Sequence, residues 1–316
     1  MPSTEPKRDF GIFDLGSNPL LVKELRGRVR GIRAFIVITG YLMLISCFAS
    51  LIYFAYTQSL SSSPVDVTDA SNAGKVLFAS VTLLEILMVT FITPAFSAGA
   101  ITGERERKTY EMLRATLLPA RKVVLGKLTA ALAFMFLLVL AAVPLVSLAF
   151  LLGGVSLVEL ILAFVVVVLT ALMFTSLGLV FSTLVKTTLV ATVLTYASAL
   201  IVTLGVPLLM LITGVLIDPY LYTPSTGGWI GEAIMTYILY VGAAFSPITT
   251  AIFTEMTLLE ENTIWAYQAQ VGISGTGTLR SIWVPSPWIP FVVLYILFAA
   301  IAIWIAILRV RRQERY

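Results

Sequence analysis

Hydrophobic and polar positions along this chain separate into long apolar runs and short polar breaks. The apolar runs fall at about residues 32–56, 76–101, 128–152, 157–185, 189–217 and 288–308. Each is long enough for the ~20 residues that a helix needs to cross a bilayer. The first break carries Ser61, Ser62, Ser63 and Pro64, the third and fourth runs meet at Gly153 and Gly154, and a short return with Lys186 joins the fourth and fifth. Pro94 in the second run and Gly205 and Pro207 in the fifth are compatible with spans, because neighbouring helices satisfy the freed backbone groups. The pattern predicts an all-α integral membrane protein with six transmembrane helices.

Two stretches depart from plain alternation of span and loop. Residues 1–31 form a polar lead in which Asn18 and Pro19 supply a helix start, N-cap and first helical position. Beyond it Leu21, Leu25, Val29 and Ile32 make one stripe, and Lys23, Arg26, Arg30 and Arg33 the opposite one. Such a helix lies along anionic headgroups at the membrane surface. The second departure is residues 218–287. Its middle, Trp229 to Phe253, is apolar enough for a span but carries Glu232 and is broken at Gly242 and at Ser246–Pro247. Two half-length helices that dip in and return fit this better, forming a re-entrant extracellular segment between spans five and six. The stretch from Glu255 to Trp283, with a Gly-rich part at Gly272 to Gly277, reads as an exposed loop.

Composition narrows the chemistry. The chain has 316 residues, 59% hydrophobic and 12% charged, with no histidine and one cysteine, Cys47. Histidine-based catalysis, Cys/His metal centres and an intramolecular disulfide are thereby excluded. The sequence predicts no metal site and no catalytic residue. Because the first 31 residues are polar and basic and the first apolar run is long, no cleavable signal is expected. Nineteen of the 21 Lys and Arg fall on one side of a six-span arrangement, leaving Lys75 and Arg280 opposite. The positive-inside rule then puts both termini, including the basic tail 309–316, in the cytoplasm of a multi-pass protein of the plasma (inner) membrane. A seventh span at Trp229 to Phe253 would reverse the C-terminal arginines.

Between spans two and three lies residues 102–127, the one long charged interruption between strongly apolar runs. Its charges alternate in sign from Glu104 through Arg105, Glu106, Arg107 and Lys108 to Glu111 and Arg114, as on a structured surface. Tyr110, Leu113 and Leu117 share one face of a short helix, and Pro119 breaks it and is expected to open a new helix as its first residue. A basic loop against headgroups would also fit the charge; an apolar stripe on a soluble elbow points to a socket on another protein.

The run Ala100-Ile-Thr-Gly-Glu104-Arg-Glu-Arg-Lys-Thr109-Tyr-Glu111-Met-Leu113, followed by Pro119 and Leu125-Gly-Lys127, resembles the segment between the second and third helices of type-2 ABC transporter permeases. The resemblance extends over essentially the whole chain. It implies that this segment holds the coupling helix that docks into a nucleotide-binding subunit, with Glu104, Arg105, Glu106, Arg107, Thr109, Tyr110, Leu113 and Leu117 as the coupling residues. It also implies two permease chains, as a homodimer or heterodimer, with two ABC ATPase subunits. The chain itself has no phosphate-binding loop: at Gly126-Lys127 the pattern would need Gly at Arg121 and Ser or Thr at Leu128. ATP and Mg are thus expected on the partner ATPase, with no cofactor on this chain and no nucleic-acid partner.

Polar residues within the spans are the candidates for a translocation path. Glu85 stands about nine residues into the second run, where a charge costs about 2.5–3.5 kcal/mol on insertion scales, so it needs a partner or a water-filled route. Thr195 and Ser198, with Thr192, Tyr196 and Thr203, could line a path or hold helices together. Glu232 and Glu255 could form an acidic outer vestibule or be solvated. A secondary transporter or channel working through Glu85 is the alternative function, though a single intramembrane charge and no repeat speak against it. A membrane enzyme lacks the clustered catalytic groups it would need. The residues do not select among drug, peptide, lipid-linked glycan, metal or sodium as cargo.

Overall fold

The six apolar runs all form helices, and in the computed structural model they pack side by side. The structure describes residues 31–60, 67–115, 119–221, 228–261, 263–271 and 280–313. Among these, six helices are long and apolar enough to cross a membrane. They are α1 (Ile32–Leu60), α2 (Val67–Ser97), α5 (Ala120–Leu152), α6 (Leu157–Leu184), the fifth span that begins with α7 (Thr188–Leu200), and α11 (Trp288–Gln313). Two short helices, α3 (Thr102–Glu106) and α4 (Tyr110–Ala115), stand between α2 and α5. The fifth span passes through a π-helical turn, Ile201–Gly205, and continues as α8 (Val206–Leu221). The helix predicted from Asn18 with Lys23, Arg26 and Arg30 lies outside the described residues, as does the side chain of Arg33.

Several boundaries differ from the hydropathy reading, because helices outrun the apolar stretch that anchors them. The second helix starts at Val67, not 76, and the third at Ala120, not 128. Pro119, extended at φ −64° and ψ 143°, stands just before the helix instead of opening it. The last helix carries Arg309, Arg311 and Arg312 on its final turns.

α6 occupies the middle of the bundle and touches α2, α5, α7, α10 and α11. Its start is fixed by a capping box: Ser156 Oγ accepts from the Glu159 amide, and Glu159 accepts from the Ser156 amide. The core is filled by Ile86 and Val89 of α2, Phe134 and Leu138 of α5, Val167 and Phe174 of α6, and Phe291 of α11. Small residues set the spacing, as expected where lipid supplies no hydrophobic drive for helix association. A Cβ on Gly178 of α6 would overlap Ser97 Oγ of α2. At the other end of the bundle, Gly153 and Gly154 turn the chain at φ 89° and 82°, which only glycine adopts without strain. In contrast α1 buries a single edge, Ala34, Tyr41 and Ile45, and leaves Phe35, Ile36, Met43 and Phe54 outward.

Away from α3 and α4, the segment predicted as two half-length helices forms α9 (Gly228–Ala243) and α10 (Pro247–Glu261). Their turn is buried at Ala243, Ala244 and Ser246. Ser246 Oγ donates to the Thr203 carbonyl at 3.1 Å, and Tyr295 Oη to the Phe245 carbonyl at 3.0 Å, so the turn sits among the spans.

The expected loop after Glu255 is corrected. It continues α10 to Glu261 and then forms an antiparallel hairpin, β1 (Ala266–Val271) with β2 (Arg280–Pro285), pairing Ala266 with Pro285 and Val271 with Arg280. Among the described residues the helical bundle thus carries one strand pair. Tyr237 Oη on α9 donates to the Trp283 carbonyl at 2.6 Å, and Trp288 Nε1 to the Ile264 carbonyl at 2.8 Å, fastening the hairpin to α9 and α11.

Candidate functional site

The elbow between α2 and α5 is built as a continuation of the second span. Turn hydrogen bonds carry the helical path from Ser97 into α3, with the Ala100 amide reaching the Ser97 carbonyl and the Gly103 amide the Gly99 carbonyl. Ser182, near the end of α6, accepts from the amides of Ile101 and Thr102 at 2.8 and 3.0 Å. The elbow's backbone is thereby bonded to the fourth span as well as the second.

Its charged side chains then divide into two sets. Glu104 turns inward and accepts from Lys127 Nζ of α5 at 2.6 Å; the lysine side chain is only 3% exposed. Arg105 donates through its guanidinium to the Val185 carbonyl at 3.1 Å and lies 5.4 Å from the Tyr110 ring centroid. Glu106 accepts from the Thr188 amide at 2.7 Å and from the Thr188 hydroxyl at 2.8 Å, at the start of α7. Three of the predicted coupling residues therefore tie the elbow to α5, α6 and α7. The other set faces outward: Arg107, Lys108, Thr109, Glu111 and Met112 are exposed, and Tyr110 is half-buried against the apolar cluster that includes Ile101, Val124 and Val310. Leu117 lies outside the described residues, and for Leu113 only the backbone is described.

The intramembrane candidates are held by neighbours. Glu85 is buried and accepts from Tyr41 Oη of α1 at 3.3 Å. Thr195 is buried and donates to the Ala191 carbonyl of its own helix, and Ser198 to the Thr195 carbonyl. Tyr196 donates to the Phe91 carbonyl, and the hydroxyls of Thr203 and Thr90 meet at 3.3 Å, so the polar side of the fifth span is sewn to α2. Glu255 lies beside α2 and α6, within electrostatic reach of Glu159 and Lys75, and the side chain of Glu232 is not described. Among the described residues no group of three metal-ligating side chains converges.

Residues 19–311 match the family model described as ABC-2 family transporter protein. The chain belongs to the ABC-2 transporter family. No curated protein matches it. As an ABC-2 permease it is a multi-pass membrane subunit of an ABC transporter, a transport component that is not itself catalytic, and the family implies association with an ABC ATPase.

Sequence patterns pointed to the elbow of this permease but not to its anchors. Lys127, Ser182 and Thr188 lie 23, 80 and 82 residues from the groups they bind, so no helical spacing links them. A lysine at the start of an apolar run was the one available signal for a buried partner.

The end of α3 was also not legible. Lys108 has φ 58°, in the left-handed region, with its amide bonded to the Arg105 carbonyl and the Thr109 amide to the Glu104 carbonyl. That is a Schellman closure with lysine where glycine is usual. In the permease, Lys108→Gly is expected to gain about 1 kcal/mol by removing the side-chain penalty, and Lys108→Val to lose at least as much. Thermal unfolding of the detergent-solubilised variants measures both; equal midpoints for glycine and valine would contradict the left-handed assignment.

Proposed function

We propose that this permease pairs with a second permease chain, identical or related, to form the path of an ATP-driven exporter in the plasma (inner) membrane. Both termini are cytoplasmic. A separate ABC ATPase binds ATP and Mg and docks on the outward face of the elbow at Arg107, Thr109, Tyr110 and Met112, with Leu113 and Leu117 completing the apolar stripe. Glu104, Arg105 and Glu106 couple indirectly, by holding the elbow to the spans. Residues 218–287 act as a re-entrant outer segment above the path.

The observation that carries this reading is the divided elbow, with one set of side chains bonded to α5, α6 and α7 and the other displayed. A displacement imposed on α4 by a closing ATPase pair is then passed to three spans as a rigid-body movement. Glu85 and its Tyr41 partner hold α1 to α2 in this scheme, and Thr195 and Ser198 stay with the fifth span as it moves.

The test is affinity purification of the chain from its native membrane, followed by mass spectrometry and ATPase measurement. An ATPase in about one-to-one ratio is expected with the wild type, and the double variant Arg107→Glu with Met112→Asp is expected to lose it while keeping its thermal midpoint. Retention of the ATPase by that variant would overturn the docking face. A chain that emerges alone and inert would instead favour a channel or secondary transporter working through Glu85.

A further inference from the structure

At the end of the bundle away from the elbow, α2, α6 and α10 separate around a cavity of about 170 Å³. Its walls are mostly apolar, with Phe78 and Leu83 from α2, Leu162 and Val166 from α6, and Leu258 from α10. Ile252 and Met256 also line it and are exposed, so it opens to the outside of the bundle. Thr82, Thr254, Glu255 and Glu159 are its polar residues.

Two of these polar groups lack partners. Thr254 is 5% exposed, and its hydroxyl oxygen is buried with no hydrogen bond among the described residues. Other threonines of the same helix behave differently: Thr250 donates to the Ala243 carbonyl and Thr257 to the Phe253 carbonyl. Glu255 Oε1 is likewise buried and unpartnered. A buried hydroxyl and a buried carboxylate oxygen left unbonded on residues that line one cavity are costly unless something else completes them.

We propose that this cavity binds a primary ammonium group carried on an apolar body, with Glu255 pairing the charge and Thr254 accepting one of its N–H bonds. An ammonium offers three donors and no acceptor, which suits two orphan oxygens. Glu159 adds negative charge at the rim while its carboxylate caps α6. A calcium or magnesium ion would require six or more oxygen ligands, which these walls do not provide. The volume is close to that of cavities known to take a benzene-sized molecule, so the head and about six carbons lodge inside and a longer chain leaves past Ile252 and Met256. An amino-headgroup lipid and a free amphiphilic amine share this chemistry. The proposal stands independently of the export reading.

The charged groups acting on Glu255 among the described residues are Glu159 on α6 and Lys75 on α2. Burial first, and Glu159 second, push its carboxyl up to about 7, with Lys75 opposing. An ammonium favours the ionised carboxylate, so affinity should rise as pH is raised through about 7 and fall as Glu255 protonates below it.

The experiment uses n-octylamine with n-octanol as the neutral match, titrated calorimetrically into the full chain in phosphatidylcholine nanodiscs at pH 6 and pH 8. Octylamine is expected to bind at least tenfold more tightly than octanol at pH 8, with most of that preference gone at pH 6. Glu255→Gln is expected to lose tenfold or more, and the near-isosteric Thr254→Val several-fold, both with unchanged thermal midpoints in the absence of amine. Nanodiscs containing phosphatidylethanolamine separate the sources: weakened octylamine binding identifies the lipid headgroup as occupant, and unchanged binding a free amine. Equal affinity for octylamine and octanol, or wild-type affinity in both variants, would overturn the assignment.

Discussion

Replacing Lys127 with methionine is expected to destabilise the permease by about 3–5 kcal/mol, the range for breaking a buried ion pair by removing one partner. Lys127 Nζ lies 2.6 Å from Glu104 Oε1, with the two side chains 3% and 25% exposed. The loss comes less from the attraction than from the carboxylate left behind in a poorly hydrated place. Glu104 Oε2 is already buried without a partner among the described residues, so the group has no second bond to fall back on. The double variant Lys127→Met with Glu104→Gln should therefore recover much of the loss, because no unpaired charge remains. Denaturant titration of the purified chain in detergent would read both. A single variant that loses less than about 1 kcal/mol would mean that the pair is not insulated from water, since exposed pairs contribute about that much or less.

A second large effect is expected at Gly178. Any side chain there meets Ser97, whose Cβ would stand 2.7 Å from the added carbon, and the Ala98 amide nitrogen at 3.2 Å. Overpacking of this kind costs about 1–3 kcal/mol and sometimes more. Here backbone as well as side chain must shift, so Gly178→Val should reach or exceed the upper figure. The contact joins α2 to α6 just before the elbow begins, and the variant should also loosen the amides of Ile101 and Thr102 from Ser182. Ser97→Gly in the same chain should restore part of the lost stability by opening room on the facing helix. Folded yield on size-exclusion chromatography and the thermal midpoint measure the effect; a Gly178→Val chain of wild-type stability would show that the two helices do not approach this closely.

Legibility from sequence followed the range of the interaction. The spans were readable because a bilayer demands a run of apolar residues whatever they pack against, and the break at Ser246–Pro247 was readable because proline disturbs its immediate neighbours. The hairpin of Ala266–Val271 and Arg280–Pro285 was not read, since its alternating residues are short and flank a Gly-rich stretch that by itself suggests a loop. In the elbow, sign alternation in Glu104, Arg105 and Glu106 was read as a structured surface; the three stand on α3, with Glu104 turned inward to Lys127. Which way each charge points depends on Lys127, Val185 and Thr188, brought near only when the bundle closes. The orphan hydroxyl of Thr254 was not legible either: Thr250 and Thr257 share its helix and composition but bond to the Ala243 and Phe253 carbonyls, a difference that the pattern of residue types does not carry.

The π-helical turn at Ile201–Gly205 acts as a phase shifter. One residue more per turn than the α-helical ladder advances every side chain beyond it by about 100° relative to an uninterrupted helix. Before the turn, the fifth span presents its polar stripe to α2, α3 and α6; after it, the neighbours are α9 and α10. A single continuous α-helix could not serve both sets with the same stripe. The turn is pinned on both sides, by Thr90 through the Thr203 hydroxyl and by Ser246 through the Thr203 carbonyl. Thr203 thus fixes the angle at which one helix is read by two different halves of the molecule, and the orientation of the α9–α10 pair follows from that angle.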